Sequence, residues 1–84
     1  MSRLLNDVIE IAKVYYQIPG NESGGVLHIV LDDGNVTDDD IILCMISALK
    51  ECDHLAVDLC YLILKLNYND RVKLVMNYDA YCVT

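Results

Sequence analysis

The sequence predicts a mainly α protein, a small bundle of about four helices with one short β-like or extended segment near residues 26–31. Three observations predict it. Apolar residues recur at three- and four-residue steps over most of the chain. Side chains that cap helices, Ser2, Thr37, Asp53 and Asn67, each stand just before such a segment. Turn residues, including the one proline, fall between the segments. The 84 residues are expected to form a single small domain, residues 1–84.

The first helix is expected over residues 2–17, with Leu4, Leu5, Val8, Ile9, Ala12 and Tyr15 or Tyr16 on its inner face. Pro19 and Gly20 end it, because the residue before a proline resists helical angles. Residues 21–25 are a loop. Val26–Leu31 is a continuous run of Val, Leu, His and Ile. Its length and β-branched content suit a buried strand, though periodicity does not separate that from a short buried helix. Its one strand-like companion is Tyr78–Val83. Asp32-Asp33-Gly34-Asn35 makes a turn, since Gly and Asn tolerate positive φ.

Thr37 and Asp40 match a capping box, and Asp38 and Asp39 sit where a helix dipole favours negative charge. The helix they open should run to about Glu51 and bury Ile41, Ile42, Met45, Ala48 and Leu49. Asp53 caps a third helix over 54–66, with Leu55, Leu59, Leu62, Ile63 and Leu66 inward. Asn67 and Asp70 open a fourth over about 68–77.

Composition narrows the function. Hydrophobic residues make up 55% of the chain. A domain this small has little interior to hide them, so a homo-oligomer is expected. The net charge is −7, and the six cations Arg3, Lys13, Lys50, Lys65, Arg71 and Lys73 form no basic stripe. Direct binding to nucleic acid is therefore not expected, because phosphate neutralisation supplies most of that affinity. No apolar run approaches the ~20 residues of a membrane span, and no signal-peptide pattern opens the chain, so no membrane partner and a cytoplasmic location are expected. Cys44, Cys52, Cys60 and Cys82 lack zinc or redox spacing and read as buried free thiols.

Chemistry concentrates in GGVLHIVLDDGNVTDDD, residues 24–40. A calcium loop counted from Asp33 fails at its sixth position, Asp38, and its twelfth, Cys44, so no metal is expected. No nucleophile motif surrounds Ser2, Ser23 or Ser47, and no phosphate-cradle pattern accompanies Gly24-Gly25. No enzymatic activity, catalytic residue or cofactor is expected. His28 is either a core histidine bonded to backbone or a binding group beside two aspartates. With the helix cap accounted for, Gly24, Gly25, His28, Asp32, Asp33 and Asn35 remain as candidate ligand- or partner-binding residues. Arg3, Lys13 or Arg71 of a neighbouring copy would have to supply any cation such a ligand needs.

The run Tyr15-Tyr16, Pro19-Gly20-Asn21, Gly24-Gly25 and Leu27 through Asn35, followed by Asp39 or Asp40 and an aliphatic helix, resembles a group of small proteins of tailed phages and prophages that share a GGxLHIVLDDGN-type motif. The likeness spans much of residues 15–75 and is densest over 19–40. It implies a source rather than a mechanism. Small accessory phage proteins often bind host proteins, defence systems included, and some sequester nucleotide-derived immune signals. The expectation is a counter-defence inhibitor or modulator that meets a basic host-protein surface in the host cytoplasm. The alternatives are an oligomeric sponge for a nucleotide-type small molecule and a purely structural helical oligomer.

Overall fold

Four local caps set most of the helix starts. The computed structural model describes residues 2–22 and 24–77. Helix α1 (Arg3–Gln17) begins where the Ser2 hydroxyl accepts the Leu5 N–H at 3.1 Å. Helix α3 (Asp38–Lys50) begins at Thr37, whose Oγ1 accepts from Asp40 N–H at 3.2 Å and donates to the Asp40 carboxylate at 2.7 Å. Helix α4 (His54–Lys65) is capped by Asp53, which accepts from Ala56 N–H at 3.2 Å. Helix α5 (Tyr68–Met76) is capped by Asn67, which accepts from Asp70 N–H at 2.8 Å. Each bond satisfies a backbone donor that a helix start leaves without an internal partner. These bounds lie within a residue or two of those read from the sequence.

The mainly α bundle is what the chain forms, with five α-helices and no strand among the described residues. The segment expected to be extended is helical. Gly25–Leu27 makes a 3₁₀ turn that runs into helix α2 (His28–Leu31). A strand in this place has no partner for its backbone among the described residues, whereas a helical turn bonds to itself. Leu27, Val30 and Leu31, spaced three and four apart, are fully buried. His28 and Ile29 lie outside that stripe, exposed. Packing of this stripe overrides the strand preference of Val and Ile. Tyr78–Val83, its proposed companion, lies outside the described residues.

Helix α3 packs mainly on α4, and α1 packs on α4 and α5. Their inner faces join one buried cluster that includes Leu5, Val8, Tyr15, Tyr16, Leu27, Ile41, Leu59, Ile63 and Leu74. The inner face of α3 differs from expectation. Ile41, Cys44 and Ala48 are buried, Met45 is half-buried, and Ile42 and Leu49 face outward at 42% and 55% exposure. A helix that is apolar nearly all round carries no clear stripe, so sequence spacing left its rotation open. Cys44 and Cys60 are buried free thiols as expected, but Cys52 is exposed, and Cys82 lies outside the described residues. No helix among the described residues is long and apolar enough to cross a membrane.

Candidate functional site

The six candidate residues divide between the core and the surface. Gly24 and Gly25 belong to the core side. Both have positive φ, +94° and +50°. A Cβ on Gly24 would stand 3.1 Å from the Tyr16 hydroxyl, and a Cβ on Gly25 would overlap the Tyr15 hydroxyl. The pair of glycines lets the loop close on the two tyrosines of α1. The tyrosine rings meet edge to face, with centroids 5.9 Å apart. The Tyr15 hydroxyl donates to the Asp53 carboxylate at 2.9 Å, while the Asn21 amide donates to the Tyr15 carbonyl at 3.1 Å. Burial, then the bond to Asp53, push the Tyr15 hydroxyl well above the usual tyrosine range. Asp53 thus caps α4 with one oxygen and anchors α1 with the other.

Behind the 3₁₀ turn, the Cys44 thiol reaches the Val26 carbonyl at 3.0 Å. Cys44 and Cys60 also share a hydrogen bond, and that bond together with burial pushes the Cys60 thiol up, holding it protonated. These are structural thiols that tie α3 to α4 and to the glycine loop.

The other four residues come to the surface. His28 is exposed rather than in the core, and its Nδ1 is 2.9 Å from the Gly25 carbonyl. Asp32, Asp33 and Asn35 are exposed where α2 ends. That ending has its own logic. The N–H groups of Asp32 and Asp33 both reach the His28 carbonyl, at 2.9 and 3.0 Å. Gly34 at φ 75° turns the chain back, so that Asn35 N–H meets the Ile29 carbonyl at 3.3 Å. The backbone of the LDDGN stretch therefore explains its glycine. It does not explain its two carboxylates. Among the described residues, the side chains of Asp32 and Asp33 make no hydrogen bond or ion pair. They stand at the negative end of a helical turn, where acid side chains are disfavoured.

Two of the three remaining aspartates of the motif serve the fold. Asp40 completes the cap on Thr37, and Asp38 pairs with Arg71 at 2.6 Å. Arg71 was expected to be free to reach a ligand on a neighbouring copy. It is instead buried. Its Nε donates to the Ile63 and Leu66 carbonyls, each at 3.1 Å, and its terminal nitrogens donate to Val36 and Leu64, each at 2.9 Å. A guanidinium at the C-terminal end of α4 meets the carbonyls of Ile63, Leu64 and Leu66, and its positive charge faces the negative end of the helix dipole. No pattern in the sequence marks this role, because its acceptors are backbone atoms scattered from residue 36 to residue 66. Lys13 pairs with Glu10 at 3.3 Å on the surface of α1.

No three His, Cys, Asp or Glu side chains converge on a common point among the described residues. The exposed cluster is open surface suited to contact. Comparison with protein-family models, with curated proteins and with solved structures returns no match to this chain.

Proposed function

We propose that the protein is a small non-enzymatic binding protein of phage type, which inhibits or modulates a host protein with a basic surface and so acts in counter-defence. The contact surface is the end of α2, with Asp32 and Asp33 at its centre and His28, Ile29 and Asn35 around it. One observation carries the reading. Two exposed carboxylates sit at a helix C-terminus, unspent on the fold, where they work against local stability. Residues that break a local rule without a structural return are expected at functional positions. Ile29, 38% exposed, adds an apolar contact in their midst. The phage source and the host-cytoplasm location rest on the motif resemblance.

The test is a trade-off. The double variant Asp32→Asn/Asp33→Asn should melt at a higher temperature than the natural chain. It should also bind a host protein that the natural chain captures from host lysate more weakly and with a shallower salt dependence, because charge complementarity has been removed. Unchanged affinity together with the stability gain would sink the reading. Asp58→Asn, exposed on α4 and outside this surface, serves as the control.

An oligomeric sponge for a nucleotide-derived signal has less support. Its expected anchor, Gly24-Gly25, is turned toward Tyr16 and Tyr15. Arg71, one of the cations it would borrow, is committed to backbone carbonyls. A panel of nucleotides and cyclic dinucleotides tests it directly, since a ligand bound only by the folded state raises the melting temperature.

A further inference from the structure

Helix α3 is apolar on the side away from the core. Ile42, Leu43, Ile46 and Leu49 are 42%, 62%, 43% and 55% exposed. On a helix of 3.6 residues per turn these four share one face, opposite the buried Ile41, Cys44 and Ala48. The outer face of α1 is mostly polar, with Asn6, Asp7, Glu10 and Gln17 exposed around Val14. The apolar face of α3 is bounded by charge at each end. Asp39 lies one turn before Ile42, and Lys50 lies one turn after Ile46, both exposed and both on this face.

We propose that this face binds a second copy of the chain, α3 against α3, antiparallel across a two-fold axis beside Ile46. The charge order selects that occupant. Rotation about an axis at Ile46 sets Leu43 of one copy opposite Leu49 of the other, closing an apolar seam. It also brings Lys50 opposite Ile42 of the other copy, one turn from its Asp39. The four-carbon stem of Lys50 covers that distance. Each copy then contributes one acid and one base to two equivalent ion pairs, as a self-complementary interface requires. The antiparallel arrangement also sets each helix start against the other's end, so the dipoles attract. A parallel arrangement would place acid on acid. Helix α3 has 13 residues and is about 20 Å long, so the seam alone is small and the dimer depends on concentration. None of the residues of the acidic surface at the end of α2 takes part, so the two proposals stand or fall separately.

Sedimentation equilibrium on the full chain, from about 1 μM to about 1 mM, tests the proposal. The expected result is a monomer–dimer equilibrium. Leu43→Glu/Ile46→Glu changes exposed positions only and should keep its helicity by circular dichroism while weakening association more than about tenfold. Asp39→Lys and Lys50→Asp should each weaken the dimer about two- to fivefold, and the double exchange should restore it. That recovery is specific to this antiparallel pairing. A chain that stays monomeric over the whole range overturns the proposal. So does a dimer that tolerates the two glutamates, or a double exchange without recovery.

Discussion

Cys52 holds a φ of +56°, the one positive value among the described non-glycine residues. It follows the end of α3, where its N–H bonds to the Leu49 carbonyl at 3.1 Å and Asp53 N–H bonds to Ala48 at 2.9 Å. Glycine is the usual residue in this left-handed closure, because a Cβ costs roughly 1 kcal/mol there. Cys52→Gly should therefore raise stability by about 0.5–1 kcal/mol in urea unfolding, and also remove the exposed thiol. Tyr15 makes a second prediction, on pH. Its hydroxyl titrates higher in the folded chain than the ordinary value near 10. Above that pH the unfolded state releases a proton that the folded state keeps, so this contribution is whole below pH 10 and lost as pH rises beyond it. Stability measured from pH 8 to about 11 should fall more steeply for the natural chain than for Tyr15→Phe. Equal slopes would mean that burial and the Asp53 bond do not raise the Tyr15 titration.

The short helical unit from Gly25 to Leu31 depends on its neighbours more than on its own sequence. Four residues of α-helix are too few to be stable alone, so burial of Leu27, Val30 and Leu31 must hold them. Gly25→Ala should cost about 2 kcal/mol or more, since it adds positive-φ strain and a clash with the anchored Tyr15 hydroxyl. Differential scanning calorimetry would show the loss, and Gly20→Ala is the comparison, with positive φ but open space around it. The longer helices needed no such help to be recognised. Ser2, Thr37, Asp53 and Asn67 act on N–H groups three residues ahead, so their signal lies within a single turn of sequence. The segment 26–31 gave no such signal. Its six residues fit both periods, and the choice was made by packing on α3 and α5, which lie elsewhere in the chain. The same holds for the candidate site, where the exposure of Asp32 and Asp33 followed from a turn chemistry that was legible, while the inward commitment of Gly24 and Gly25 was not.

Across the molecule, a few long-range polar contacts join what the helices leave separate. Ser2 donates to Asp70 over 68 residues, Tyr15 to Asp53 over 38, and Arg71 to the Val36 carbonyl over 35. Arg71 joins the end of α4, the loop before α3, and α5 itself. Arg71→Lys should lower stability by roughly 2–4 kcal/mol, because a single ammonium cannot serve four carbonyls that the planar guanidinium reaches together. Guanidinium-induced unfolding measures it, and a loss under about 1 kcal/mol would show that water replaces the guanidinium at these carbonyls. The acidic balance, the helical class and the starts of four helices followed from residue order, because caps, dipoles and turn glycines act over one turn or less. The state of residues 26–31, the rotation of α3 and the burial of Arg71 followed from packing. Each turns on which distant surface a side chain meets, and an apolar run that fits two periods, or a cation whose acceptors are backbone carbonyls, leaves no mark of that choice in the sequence.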